Sequence, residues 1–179
     1  MKRVVHEAKR IADLDAPILI FGETGTGKEM IARACHQSSR RSEGAFLALN
    51  CASLPDSVAE TELFGYAAGA FNQPNAKVGL LEQAKGGTLL LDEIADMSSQ
   101  LQAKLLRVLE DGEFRRVGDS EPVKVDVRFI CTTCRDLGQL VEEGRFRKEL
   151  YYRLNVLSLV MPSLKDRRQD IVPLACLLY

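Results

Sequence analysis

The chain has 179 residues, of which 46% are hydrophobic, 27% charged and 6% aromatic, and its formal net charge is −1. This composition is typical of a soluble globular domain and excludes a disordered, collagen-like or coiled-coil chain. The balance of 24 basic and 25 acidic residues excludes a global field that would attract DNA or anionic lipid to this segment. No apolar run approaches the roughly 18 residues that cross a membrane, and no signal peptide is evident, so we expect a cytoplasmic protein.

Apolar runs alternate with helical patterns along the chain, which predicts one α/β domain over residues 1–179 with a parallel sheet covered on both faces. The predicted strands are residues 17–21, 46–49, 88–91, 125–132 and 156–161. The predicted helices are residues 2–12, 28–38, 56–64, 77–84, 99–111, 137–143 and 168–178. Alternating apolar and polar residues between Gly112 and Arg128, around a Gly-Asp-Ser turn, predict a β-hairpin before the fourth strand.

A glycine-rich segment, GETGTGKE at residues 22–29, follows the first predicted strand and precedes a helical pattern. Its spacing is that of a phosphate-binding P-loop, in which glycines let successive amides turn toward the phosphates and Lys28 adds a point charge. The expected nucleotide contacts are Gly22, Glu23, Thr24, Gly25, Thr26, Gly27, Lys28 and Glu29. The alternative is a strand-to-helix turn without a ligand.

A second informative segment is GGTLLLDEI, residues 86–94, an apolar strand that ends in two acidic residues, Asp92 and Glu93. Glu29 stands where a generic P-loop has the Ser or Thr that binds Mg²⁺, so we expect Asp92 to hold Mg²⁺ through water. Glu93 would then orient and deprotonate the attacking water, a role worth roughly 10²- to 10⁴-fold in rate. The alternative is an acidic N-cap of the following helix.

Five irregularly spaced cysteines fit packed, reduced thiols better than disulfides. They are Cys35, Cys51, Cys131, Cys134 and Cys176. Cys131 and Cys134 form a C-x-x-C pair, but there is no second pair and the chain has only two histidines. We therefore do not expect zinc or redox chemistry there.

Eight blocks in this order resemble the AAA+ ATPase domain of the sigma-54 activators, the NtrC-like bacterial enhancer-binding proteins. The blocks are GETGTGKE, LNCASL, ETELFG, GGTLLLDEI, LLRVLEDGEFRRVG, VDVRFICTT, FRKELYYRLNV and LKDRRQDI. The resemblance covers essentially the whole chain and implies a three-layer αβα P-loop NTPase core with a five-stranded parallel sheet of order 5-1-4-3-2. It also implies ATP and Mg²⁺ as cofactors and a C-terminal helical lid that these residues lack.

The resemblance assigns roles to two strand-end residues. Asn50 matches the family's switch residue, whose amide can hydrogen-bond Glu93, and Thr133 matches sensor I, which can contact the γ-phosphate or the lytic water. Cys134 stands where the family usually has Asn. The alternatives are an amide that caps a turn for Asn50 and a plain strand-end hydroxyl for Thr133.

Arg147 and Arg153 match the family's arginine fingers, which enter the ATP site of a neighbouring subunit. Their presence implies a ring-like homo-oligomer, for which a hexamer is the expected size. The alternative is a solvated basic face paired with Glu149 or Glu143.

The family's GAFTGA loop reads GAFNQP here, at residues 69–74, with Asn72, Gln73 and Pro74 in place of Thr, Gly and Ala. Pro74 fixes φ and removes a donor, so this loop differs chemically from the one that engages sigma-54. The change, with the flanking strings, resembles the TyrR and PhhR branch of aromatic amino acid-responsive regulators. The implied partners are RNA polymerase or a sigma factor, and DNA only through a domain outside these residues.

Two functional hypotheses follow. In the first, the domain is an ATPase that assembles into a ring and hydrolyses ATP at subunit boundaries. In the second, ATP is chiefly an allosteric ligand for self-association, with little hydrolysis and no remodelling of sigma-54.

Overall fold

A computed structural model describes residues 2–70 and 74–178, and its elements alternate between strands and helices. The strands are β1 Ile18–Phe21, β2 Phe46–Asn50, β3 Gly65–Tyr66, β4 Lys77–Val78, β5 Thr88–Asp92, β6 Glu113–Arg115, β7 Pro122–Lys124, β8 Arg128–Thr133 and β9 Leu157–Val160. The α-helices are α1 Lys2–Ala12, α2 Lys28–Gln37, α3 Asp56–Phe64, α4 Leu80–Gln83, α5 Ser99–Asp111, α6 Leu137–Glu142, α7 Lys148–Leu154 and α8 Ile171–Leu178. Short 3₁₀ helices cover Ile94–Asp96 and Leu164–Asp170.

The central sheet has five parallel strands in the order β2-β5-β8-β1-β9. When these strands are numbered along the chain, this is the predicted order 5-1-4-3-2, which is confirmed. Side chains alternate between the two faces of each strand. On β5, Leu89 and Leu91 join one buried cluster with α3, α5 and α7, whereas Leu90 joins a second cluster with α1 and α2. This burial on both faces explains the uninterrupted apolar runs in the sequence and gives the three layers.

The prediction of a helix over residues 77–84 is wrong in its first part. Lys77 and Val78 form β4, which pairs antiparallel with β3, and α4 begins only at Leu80. The reason is a close approach of two backbones, since a Cβ on Gly79 would lie 2.4 Å from the nitrogen of Gly65. Gly79 is therefore held in an extended conformation that no helix can include.

Three other predicted elements shift or are confirmed. The predicted hairpin is present as the antiparallel pair β6–β7. The predicted fourth strand, 125–132, begins three residues later at Arg128, because Val125 N donates to the carbonyl of Gly112 rather than to the sheet. The last helix begins at Ile171 rather than at Arg168, because Arg168 lies in the preceding 3₁₀ helix.

The cysteines are free thiols, as predicted. Cys35, Cys51 and Cys131 are buried, and burial raises the pKa of Cys35 to about 11 and that of Cys51 to about 12. Cys134 is exposed. Within residues 2–70 and 74–178, no group of three or more His, Cys, Asp or Glu is arranged to hold a metal ion.

No helix in the described part of the chain is long and apolar enough to cross a membrane.

A buried arginine ties α1 to the sheet. Arg128, only 4% exposed, donates from its guanidinium to the carbonyls of Ala12 at 2.8 Å, Ile11 at 3.2 Å and Ala16 at 3.3 Å. Ile11 and Ala12 are the last residues of α1, where carbonyls lack the usual intrahelical donors, and Ala16 lies in the segment between α1 and β1.

Replacing Arg128 by Met should lower the free energy of unfolding by about 3 kcal/mol, the upper part of the range for hydrogen bonds from a charged donor. The Arg40→Met variant changes an exposed arginine and should alter stability by less than about 0.5 kcal/mol. Urea unfolding of both variants measures the difference. Equal midpoints would show that α1 does not depend on this guanidinium.

Candidate nucleotide site

The predicted P-loop lies between β1 and α2, at the carboxyl edge of the sheet. Gly25 and Gly27 have φ of 79° and 92°, which is the left-handed region that favours glycine. A Cβ added at either residue would meet nothing within 4 Å, so the loop borders open space. Gly27 immediately precedes α2, whose first amides face that space with the positive end of the helix dipole. The loop therefore forms a cradle suited to an anion.

Lys28 is buried beneath this cradle. Its Nζ donates to the carbonyl of Gly22 at 2.9 Å and lies 2.9 Å from Oε1 of Glu93. The hydroxyl of Thr26 donates to the carbonyl of Glu23 at 2.7 Å and closes the loop on itself. Glu29 faces away, because its carboxylate accepts from the Arg33 guanidinium at 2.7 Å along α2. Glu23, Thr24 and Glu29 are exposed.

Asp92 is held from both sides. β5 lies between β2 and β8, and the register places Asn50 directly beside Asp92. The Asn50 amide donates to Oδ2 of Asp92 at 3.3 Å, and the Thr132 hydroxyl makes a short hydrogen bond to Oδ1. The expected contact of Asn50 with Glu93 is therefore not made in the structure, since Asn50 pairs with Asp92 and Glu93 has already left the strand.

Glu93 turns out of β5 with φ 53° and ψ 55°, and it is the one non-glycine residue with positive φ in the described ranges. Such a conformation costs of order 1–3 kcal/mol and is typical of functional sites. The turn directs the carboxylate to Lys28 and to the backbone N–H of Cys134, which donates to Oε2 at 2.9 Å. Burial favours a higher pKa for Glu93, but the Lys28 and Cys134 hydrogen bonds outweigh it and hold the pKa below its usual range. Glu93 is therefore ionised at neutral pH.

The two threonines at the end of β8 have different surroundings. Thr133, the predicted sensor residue, is fully buried, and its hydroxyl accepts from Arg135 N at 3.0 Å and donates to the carbonyl of Arg135 at 3.2 Å. Thr132 instead contacts the acidic pair, Asp92 and Glu93: its hydroxyl bonds the Asp92 carboxylate and accepts from the Glu93 backbone N–H. Sequence reasoning missed Thr132. Successive side chains of a strand point to opposite faces of the sheet, so only one of these two threonines can lie on the same face as Asp92.

Arg147 and Arg153 are exposed and lie near α5 rather than near the P-loop of their own chain. The Arg147 backbone N–H donates to Gln102 at 2.9 Å, and the Arg153 Nε lies 4.0 Å from the carboxylate of Glu110. The alternative pairing with Glu143 is not observed, because that carboxylate contacts Arg145 at 3.3 Å.

A second buried arginine, also missed from the sequence, reaches the P-loop from the carboxyl-terminal 3₁₀ helix. Arg167 donates from Nη2 to the carbonyl of Thr26 at 2.8 Å. Nearby, Lys165 Nζ lies 3.6 Å from the carboxylate of Glu23. The segment Leu164–Asp170 therefore supports the loop from outside the sheet.

The central residues of the altered GAFNQP loop, Phe71, Asn72 and Gln73, lie outside the described residues.

The acidic residues fit a metal ion that arrives with a nucleotide. Asp92 is half-buried, and it offers one carboxylate beside the open cradle. Mg²⁺ is commonly bound by one or two carboxylates together with substrate phosphates and water. A metal site built from protein ligands alone would need at least three His, Cys, Asp or Glu side chains close together, and the described residues contain no such group.

Comparisons with known proteins agree with this geometry. The family model of the sigma-54 interaction domain matches residues 1–160. The chain is 59% identical over 177 residues to the HTH-type transcriptional regulatory protein TyrR of Enterobacter agglomerans, covering 97% of this chain and 34% of the relative. It is 52% identical over 176 residues to the regulatory protein AtoC of Escherichia coli K12, covering 98% of this chain and 38% of the relative.

A solved structure is also similar. NtrX from Brucella abortus in complex with ATP is 43% identical, with a TM-score of 0.90, and the match covers 97% of this chain and 39% of NtrX. The chain thus spans about a third of the length of the curated TyrR relatives it matches.

Proposed function

The chain belongs to the family of sigma-54 interaction domains, and we propose that it is the ATP-binding and ATP-hydrolysing AAA+ module of a bacterial transcriptional regulator. The observation that carries this proposal is the ion pair of Lys28 with Glu93 beside an open P-loop cradle, with Asp92 next to Glu93 at the end of β5. The NtrX relative solved with ATP supports the choice of nucleotide.

The proposed mechanism begins with the triphosphate in the cradle, where the amides of the loop and the first turn of α2 bind its oxygens. Lys28 contacts the outer phosphates. Asp92 would hold Mg²⁺ through water, and the ion would supply neutralisation of the phosphate charge. As Lys28 turns from Glu93 toward the phosphates, the carboxylate loses its nearest cation and its pKa rises, because an opposite charge had favoured the ionised form. Glu93 thereby becomes a stronger base for the attacking water.

The two exposed arginines extend the proposal to assembly. Both arginines contact α5 and lie away from the P-loop of their own chain. We therefore propose that Arg147 and Arg153 act on the ATP site of a neighbouring copy, within the ring-like homo-oligomer that the family resemblance implies. Nucleotide would then drive self-association and so regulate transcription. RNA polymerase or a sigma factor is the proposed downstream partner, and DNA would be contacted by another domain.

Nucleotide binding is tested by calorimetry of the chain with ATP and Mg²⁺. The Lys28→Met variant should weaken ATP binding by roughly 10- to 100-fold, the loss of one or two charge-assisted hydrogen bonds. The Lys85→Ala variant changes an exposed lysine at the opposite edge of the sheet and should bind like the wild type. No binding by the wild type at millimolar ATP would overturn the proposal.

A further inference from the structure

We infer that Thr132 is a positioning residue that fixes both acidic groups of the ATP site, an inference that rests on the proposed function. Its hydroxyl donates to Oδ1 of Asp92 and accepts the backbone N–H of Glu93 at 3.1 Å. The side chain is fully buried, so water does not compete for either hydrogen bond. One hydroxyl therefore joins the side chain of Asp92 to the backbone of Glu93.

The first consequence concerns the direction of the Asp92 carboxylate. A carboxylate at the end of a strand can rotate about its last side-chain torsion, which has a broad energy profile. Asn50 and Thr132 occupy one oxygen each, from the strands on either side of β5. These two hydrogen bonds hold the carboxylate in one orientation, which would prepare its remaining lone pairs for a water of a bound Mg²⁺.

The second consequence concerns the strained backbone of Glu93. Its left-handed conformation persists only where the surroundings determine it. The N–H of a residue that leaves a strand loses its sheet partner, and here Thr132 provides the replacement acceptor. The same turn brings the Glu93 carboxylate within 2.9 Å of Lys28. Thr132 thus positions the proposed base without contacting substrate itself.

Thr133 cannot perform this task, because its hydroxyl is bound to the backbone of Arg135. A purely structural role for Thr132 is the competing explanation. The two explanations differ in what the hydroxyl controls, which a valine and a serine variant separate. Valine removes the hydroxyl and keeps the branched shape, whereas serine keeps the hydroxyl.

The first measurement needs neither metal nor nucleotide. Hydrogen exchange of the Glu93 amide, followed by NMR, should be about tenfold faster in Thr132→Val than in the wild type, the loss of one hydrogen bond. In Thr132→Ser the rate should stay within about threefold of the wild type. The matched control is Thr88→Val, which removes another buried threonine hydroxyl, one bonded to His36 at 2.9 Å at the far end of β5. This control should leave the exchange rate of the Glu93 amide at the wild-type value.

The second measurement is ATP binding by calorimetry with Mg²⁺ and with EDTA. In Thr132→Val the gain in affinity that Mg²⁺ provides should fall by about tenfold, with affinity in EDTA unchanged, and Thr132→Ser should restore the gain. If the valine variant does not fold, Thr132→Ala takes its place in both measurements.

The outcomes separate this inference from the proposed function. A wild type that binds no ATP would overturn the proposed function and this inference with it. A wild type that binds MgATP, with Thr132→Val indistinguishable from Thr88→Val in both measurements, would overturn the inference alone. Faster exchange together with a lost Mg²⁺ effect, both restored by serine, would support it.

Discussion

The Glu93→Gln variant should lose ATP turnover by roughly 10²- to 10⁴-fold while still binding ATP, because a carboxamide cannot accept the proton of the attacking water. The substitution keeps the size of the side chain, and its carbonyl oxygen can still accept from Lys28 or from the N–H of Cys134. Binding should survive because Glu93 follows β5 and is not part of the loop at residues 22–29, whose amides are proposed to bind the phosphates. Phosphate release and calorimetry measure the two quantities separately.

The matched control is Glu43→Gln. Glu43 is exposed and precedes β2, at the edge of the sheet opposite to the ATP site. The control should retain full turnover. If Glu93→Gln turns over ATP like the control, Glu93 is not the base and the proposed mechanism fails, whereas a loss of binding would assign it to nucleotide affinity instead.

Arg147→Ala and Arg153→Ala should each reduce ATP turnover by about 10³-fold, the lower part of the range for an arginine finger that neutralises charge on the transferred phosphoryl group. The effect should appear only in assembled protein, since the side chains of Arg147 and Arg153 contact α5 of their own subunit and not its P-loop. Turnover per subunit of the wild type should accordingly rise with protein concentration. Phosphate release over a concentration series measures this rise.

A mixing experiment identifies action between subunits. Glu93→Gln keeps both arginines and lacks the base, whereas Arg147→Ala keeps the base, so mixing two inactive variants should restore part of the turnover at shared boundaries. The control is Arg145→Ala, an exposed arginine of the same segment that pairs with Glu143. It should be fully active alone. A mixture that stays inactive, although the variants co-assemble, would show that the arginines act within their own chain.

The local sequence alone indicated the phosphate loop, because its conformation depends on residues that are adjacent in the chain. Gly25 and Gly27 adopt the positive φ that the pattern requires, and α2 begins at Lys28 as expected. The alternation of apolar runs and helical patterns also indicated the buried parallel sheet. The order of its strands followed only from the family resemblance, since periodicity says nothing about which strands are neighbours.

Other features depended on contacts between distant segments. The pairing of β3 with β4 requires Gly65 and Gly79 to approach, and nothing in the helical pattern of residues 77–84 signals that approach. The support of the P-loop by Arg167 joins residues 141 positions apart in the sequence.

The partners of the acidic pair were decided by tertiary structure for the same reason. Asn50 meets Asp92 rather than Glu93, and Thr132 rather than Thr133 reaches the acidic residues. Strand register sets which side chains stand side by side, and the left-handed turn at Glu93 ends the alternation on which a sequence pattern depends. The sequence alone therefore predicted the acidic residues of this site. Their hydrogen-bond partners were decided by three strands, β2, β5 and β8, which become neighbours only in the folded sheet.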